Sequence, residues 1–284
     1  MNFFLISTSH LEDRIWFQDN EDFKVAMNLV AVAAFVIKVA ILDFILMSNH
    51  VHFVVQASLE ETRRFINYFK MLYGKYSGKR HGEPGLLRRN SVDFRKLEDN
   101  EAVCNAIAYV QMNCVAANIC IYPYQYPWGC GSTFFNPSGA EGVPIGNLTG
   151  REQSRITHSR VKLPENYKVI PDGVISPASF VRVKLVESIF RTPNRFQYFL
   201  SKSSKARKRL ENDAMPSFRD QVILEGIADL CHSMFRKASV QELAQEEKSE
   251  LLKQLRYRFS ADLAQLSRVS GIPYHEASRL LDTC

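Results

Sequence analysis

Two histidines separated by one residue, His50-Val51-His52, sit inside Ile41 to Gln56, a stretch rich in branched and aromatic apolar residues. That composition reads as one long strand or two short ones. Side chains alternate faces along a strand, so His50 and His52 share one face while Val51 and Phe53 take the other. Two imidazoles about 7 Å apart along a strand can close on one metal ion. The plainer alternative is two polar residues on a wet face, so the metal reading needs a further partner. About sixty residues on, Tyr109 and Asn113 stand four apart in a helical pattern and are therefore neighbours on one face. A tyrosine in a helix is usually core or interface filler, but a tyrosine and an amide one turn apart, beside two histidines, are a different matter.

These residues need elements to hold them. Phe3 to Ser7 reads as a first strand. Asp19 or Asn20 caps a helix from near Glu21, with Phe23, Ala26, Met27, Val30, Ala33 and Ala34 at helical spacing. Val36 to Met47 is β-rich and leads into the histidine strand. Ser58 or Thr62 caps the next helix, running to about Tyr76, with Phe65, Ile66, Phe69 and Leu72 as its apolar stripe. A third helix runs from Glu101 to about Ala117, capped by Asp99 or Asn100 and burying Val103, Ile107, Val110 and Cys114. Ile121 to Trp128 reads as extended.

The 284 residues, 46% hydrophobic and 23% charged, suit a globular protein of two domains. The formal charge is +6 with a pI near 9.0. From Leu59 to Lys96 ten cations face four acids, a local balance of +6. A charge run is usually a solvated face. Here Phe65, Tyr68, Phe69, Tyr73 and Tyr76 interleave with Arg63, Arg64, Lys70, Lys75, Arg88 and Arg89, a mix suited to phosphate contacts and base stacking. Six cysteines without a Cys-x-x-Cys pair read as reduced thiols. No leader is visible and no apolar run is long enough to span a bilayer, so a cytoplasmic protein without a membrane partner is expected.

Residues 136–160 read as a linker. Residues 161–284 read as a mostly helical domain with a second basic cluster at Lys202, Lys205, Arg207, Lys208 and Arg209. Residues 260–281 fit a helix-turn-helix about Gly271, which would offer Arg268 and Arg279 to DNA. Helix pairs of this kind also occur in domains that touch no DNA. The plainer alternative for this half is a helical dimerisation domain.

Taken together, residues 1–135 resemble the single-tyrosine HUH transposases, the REP-associated tyrosine transposases and their IS200-like relatives above all. The resemblance rests on Arg14-Ile15-Trp16-Phe17 with Glu21-Asp22-Phe23, Leu46-Met47-Ser48-Asn49-His50-Val51-His52-Phe53, Tyr109-Val110-Gln111-Met112-Asn113, and Tyr126-Pro127-Trp128 followed by Ser132. Cys114 stands where the family often has proline, and the C-terminal half extends past the family's core. The resemblance implies an α+β fold, ferredoxin-like, with an antiparallel sheet and helices on one face. It implies Tyr109 as nucleophile, His50, His52 and Asn113 as ligands of Mg²⁺ or Mn²⁺, and single-stranded or hairpin DNA as partner. The implied activity is DNA nicking through a 5′-phosphotyrosine, followed by strand transfer. A homodimer, with the tyrosine acting in cis or in trans, stays open. Three alternatives remain. The first is a catalytically silent binder of hairpin DNA or RNA. The second is a replication or conjugation initiator, disfavoured by the lack of a Gly-x-x-x-x-Gly-Lys-Ser/Thr loop. The third is a plain metallohydrolase.

Overall fold

The computed structural model describes residues 2–8, 14–82, 87, 91–117, 119–138, 142–203, 218–259 and 261–282. The expected contacts Arg88 and Arg89, and Lys205, Arg207, Lys208 and Arg209 of the second basic cluster, lie outside these residues.

The chain starts with strand β1 (Asn2–Thr8), helix α1 (Asn20–Ile37), strands β2 (Ala40–Met47) and β3 (His50–Ala57), helix α2 (Leu59–His81) and strand β4 (Val92–Leu97). The four strands form one antiparallel sheet in the order β2-β3-β1-β4. The histidine stretch is thus two strands joined by a two-residue turn at Ser48-Asn49, with Met47 opposite His50. Backbone N–H groups of Trp16 and Phe17 donate to Ser48 O and hold that turn.

Local signals explain most boundaries. Asp19 caps α1 by accepting from Asp22 N, and Lys38 ends the helix in the left-handed conformation. Val36 and Ile37 therefore belong to the helix and not to β2. Ser58 and Glu61 form a reciprocal capping box on α2. That helix continues past Tyr76 to His81, where the Arg80 and His81 side chains reach Asp22, Arg80 also gripping Asp19. β4 was not expected, because Asp93, Arg95 and Lys96 mask its alternation.

The two crossover helices cover one sheet face. Phe65, Phe69 and Tyr73 of α2 are fully buried there, with the Phe53 ring 5.1 Å from Phe65 and 5.8 Å from Phe69. Each such ring contributes about 2–3 kcal/mol by leaving water. The base-stacking expectation for Phe65, Phe69 and Tyr73 is corrected: recurring every four residues, they form the helix's core stripe.

The expectation of helices on one face also changes. Helix α3 (Asn100–Gln111) packs on the opposite face, against β2, β3 and β4. It breaks at Met112 and resumes as the short α4 (Asn113–Ala116). Residues 128–130 then run along the outer edge of β2, bonding Leu46 N to Trp128 O and Cys130 N to Phe44 O. A Cβ on Gly129 would meet Phe44 O at 2.7 Å, so only glycine permits this approach.

Residues 142–200 also differ from a simple linker followed by a new domain. Ile145, helix α5 (Gly150–Thr157), Leu163, Val169, Ile175, Phe180, helix α6 (Val183–Phe190) and helix α7 (Pro193–Lys202) join the first core. Buried Asn28 of α1 ties them in, donating to Ile156 O and Gly173 O and accepting from Ile175 N. Short strands β5 (Val143–Pro144) and β6 (Lys168–Val169) pair beside it.

A second core forms from helices α8 (Asp220–Phe235), α9 (Gln245–Phe259), α10 (Leu263–Ser270) and α11 (Tyr274–Asp282). It meets the first through Ile15 and through Gln221 Nε2 donating to Phe17 O. Asp262 caps α10, and Gly271 at φ 70° turns the chain toward α11. Among the described residues no helix is long and apolar enough to cross a membrane.

Replacing Asn28 by Ala should strip a partner from two carbonyls and one amide and cost about 3 kcal/mol. Urea denaturation should show a lower midpoint with an unchanged slope. An unaltered midpoint would mean that residues 142–175 do not lean on α1.

Candidate active site

Register fixes what shares the α3 face of the sheet. Asp93, Ser7, His52 and Ile45 form one cross-strand row, and Arg95, Leu5, Val54 and Asp43 form the next. The His50 and His52 rings stand 5.0 Å apart at 80°. The Tyr109 ring, on α3, lies 5.4 Å from His52 at 83°. The structure thus brings His50 and His52 of β3 together with Tyr109 of α3.

Each imidazole is oriented by a neighbour. His50 Nδ1 is 2.8 Å from Asn49 Oδ1, and His52 Nδ1 is 2.9 Å from Ser7 Oγ. With Nδ1–H donating to these oxygens, Nε2 of each ring carries the lone pair, the arrangement that supporting oxygens impose on metal-binding histidines. The spacing fits one shared ion. A nitrogen–metal bond of about 2.1 Å puts an ion about 3.2 Å from the ring centre, so two rings sharing it at 90–110° stand about 4.6–5.3 Å apart. Among the described residues no three His, Cys, Asp or Glu side chains cluster for a metal.

Asn113 is buried in the break between α3 and α4. Its Nδ2 donates to Tyr109 O at 2.8 Å and Val110 O at 3.2 Å. Its hydrogen bonds thus run to the backbone of the tyrosine's own turn, leaving Oδ1 as the atom able to serve a cation.

Tyr109 is half-buried, and burial pushes its phenol above the ordinary value. The hydroxyl is protonated at neutral pH and must lose that proton to act as a nucleophile.

What sets α3 on the sheet is a buried polar contact two residues after Tyr109. Gln111 Nε2 donates to Asp43 Oδ1 at 2.7 Å, and Asp43 is fully buried. Desolvation pushes the Asp43 carboxyl well above the usual carboxylate range. Earlier on α3, Val103, Ile107 and Val110 bury completely.

The expected basic contacts are mostly elsewhere. Arg63, Arg64 and Lys75 are exposed and Lys70 half-exposed on α2, across the sheet from Tyr109. Arg63 lies over the Phe94 ring at 5.7 Å. Arg268 grips buried Asp220 through Nε at 2.7 Å and Nη2 at 3.1 Å, which ties α10 to α8. Arg279 is exposed on α11 beside Glu246, Ser249, Glu250 and Lys253 of α9. Among the described residues, the cations that come to the tyrosine's side are Arg95 of β4 and Lys202 at the end of α7. They line a cleft of about 630 Å³ with Leu5, Ser7, Asp93, Asn105, Ala106, Tyr109 and Ser203. Arg95 was legible only as one of ten charges, since β4 was not. Lys202 could not be placed because α7's packing on α3 is a tertiary fact.

No protein-family description matches the chain, and no curated protein matches it. A solved structure of a REP-associated tyrosine transposase bound to a REP hairpin is similar with a TM-score of 0.36 and 9% identity. The likeness covers 60% of this chain and 93% of that one. At that distance the functional reading stands on the chain's own residues.

Two outcomes follow from this geometry. Mn²⁺ titration followed by electron paramagnetic resonance should lose the bound fraction in His52→Ala and weaken 10–100-fold in Asn49→Ala; equal affinities would remove the ion from this site. A carboxyl whose folded pKa is raised stabilises fully at low pH and loses that stability as pH rises through the folded pKa. Asp43→Asn keeps the acceptor for Gln111 and cannot ionise. It should therefore raise the denaturation midpoint at pH 7 and flatten its decline above pH 4, and a lower midpoint at pH 7 would show that the carboxyl's charge is used.

Proposed function

We propose that this chain is a metal-dependent DNA strand transferase, with Tyr109 as nucleophile and single-stranded or hairpin DNA as substrate. The observation that supports it most is the Tyr109 ring standing edge-on to His52, with Nδ1 of His50 and of His52 each oriented by a neighbouring oxygen. The β-α-β-β-α-β order is that of a ferredoxin-like split βαβ, in keeping with this reading.

His50 and His52, with Asn113 Oδ1 as third ligand, would hold Mg²⁺ or Mn²⁺; mixed nitrogen and oxygen donors favour manganese. Bound there, the ion supplies charge neutralisation at a non-bridging phosphate oxygen. The chain's own residues do the rest. The rigid sheet and α3 hold the phenol beside the histidine pair, so attack is an oriented event. The Tyr109 oxygen bonds to phosphorus as its proton leaves, and the bond from phosphorus to the 3′-oxygen breaks. That oxygen takes up a proton and departs as a 3′-hydroxyl, leaving a 5′-phosphotyrosine. A second 3′-hydroxyl then attacks the same phosphorus, joins the strands and returns Tyr109 to the phenol. Phosphodiester is exchanged for phosphotyrosine and back, so no nucleotide hydrolysis is needed.

The test is a denaturing gel with labelled single-stranded hairpin DNA and Mn²⁺. Wild type should carry label at protein mass, Tyr109→Phe none, and His50→Ala at least a hundredfold less. Because burial raises the phenol's pKa, its ionised fraction climbs with pH throughout the neutral range, and single-turnover adduct formation should rise from pH 6.5 to 8.5. A labelled adduct in Tyr109→Phe would overturn the assignment. Binding with no adduct in wild type would leave a nucleic-acid-binding protein.

A further inference from the structure

The cleft beside Tyr109 has the lining of a nucleotide site. Its floor is Leu5 and Ser7 of β1 with Asp93 and Arg95 of β4, its wall is Asn105, Ala106 and Tyr109 of α3, and its rim is Lys202 and Ser203 after α7. Ser7 joins it to the histidine pair, because Ser7 Oγ is the partner of His52 Nδ1. Two cations from separate elements suit the phosphates of a strand. Apolar Leu5 and Ala106 suit the flat face of a base. Asn105 can both donate and accept, and Asp93 only accepts, so together they favour a base edge that presents an amino group. About 630 Å³ accommodates one nucleotide with part of its neighbour.

The geometry points to this cleft as the seat of the nucleotide next to the phosphate that Tyr109 attacks. Arg95 and Lys202 take its backbone, and Asp93 and Asn105 select an amino-bearing base over thymine. This rests on the strand-transfer reading for the role of Tyr109, while the binding itself needs no cleavage. It also gives the stretch beyond residue 160 a part in the site, since Lys202 arrives on α7, which packs on α3.

The test separates binding from chemistry. A fluorescein-labelled single-stranded library with twelve randomised positions is titrated against full-length Tyr109→Phe protein over a range of salt. Adding Arg95→Ala with Lys202→Ala should weaken binding at least tenfold and lower the salt slope by about 1.4, the release expected for two phosphate contacts on single strands. Lys162→Ala with Lys184→Ala, the same charge change at exposed sites elsewhere, should change affinity less than twofold. Sequencing the bound fraction should show thymine depleted at one position, and Asp93→Ala with Asn105→Ala should erase the depletion. Equal affinity and slope in the Arg95, Lys202 variant, or a depletion that survives loss of Asp93 and Asn105, would overturn the cleft. If those variants behave as expected but wild type forms no covalent adduct, the nucleotide site stands and strand transfer falls. If the cleft substitutions, made with Tyr109 intact, leave adduct formation equal to wild type, strand transfer stands and the cleft falls. No binding by any protein overturns both.

Discussion

Everything proposed for this chain depends on the seating of α3 on the sheet face opposite the two crossover helices. An apolar seam of Val103, Ile107 and Val110 drives it, but apolar contact alone is tolerant of rotation and sliding. The Gln111–Asp43 hydrogen bond is not. It is directional, fully buried and made at a bulge in β2 where the register shifts between Ile41 and Asp43. A slip of one residue would leave an amide and a carboxyl unpartnered in the core, at a cost of about 1–3 kcal/mol or more for each. Tyr109 precedes Gln111 by two residues, so the contact that fixes the helix also fixes the phenol beside His52. The stability disadvantage of a buried acid is thus offset by positional definition.

The histidine side is built with comparable economy. The two-residue turn at Ser48-Asn49 places Asn49 where its carbonyl oxygen receives His50. The antiparallel register sets Ser7 directly opposite His52. The turn in turn hangs on the Trp16 and Phe17 amides, and the outer edge of β2 is closed by residues 128–130, with the Tyr126 hydroxyl donating to Leu46 O. The motif fragments scattered through the first 130 residues therefore surround one hairpin. An edge strand left open would be free to slip or to pair with another chain.

Much of this was legible in the sequence, for identifiable reasons. Period-two alternation placed His50 and His52 on one face, and a four-residue interval placed Tyr109 near Asn113. Asp19, Ser58 and Asp99 announced three helix starts. What could not be read was tertiary. Charges on β4 hid a strand whose Arg95 and Asp93 line the cleft. The aromatic stripe of α2 looked like a stacking surface but is core, because local spacing is the same for both. The Pro- and Gly-rich region after residue 136 resembled a linker, yet Asn28, Ile145 and Ile175 draw it onto α1. Arg268 looked like a phosphate ligand until Asp220, forty-eight residues away in the chain, was found against it.

The central claim is that one divalent cation sits between His50 and His52 within reach of Tyr109. The most direct measurement is diffraction from crystals grown with Mn²⁺, with data collected on both sides of the manganese absorption edge. The account predicts a single anomalous peak about 2.1–2.3 Å from both Nε2 atoms, on the Tyr109 side of the sheet. A peak held through Nδ1, a peak at another site, or none at saturating Mn²⁺ would contradict it.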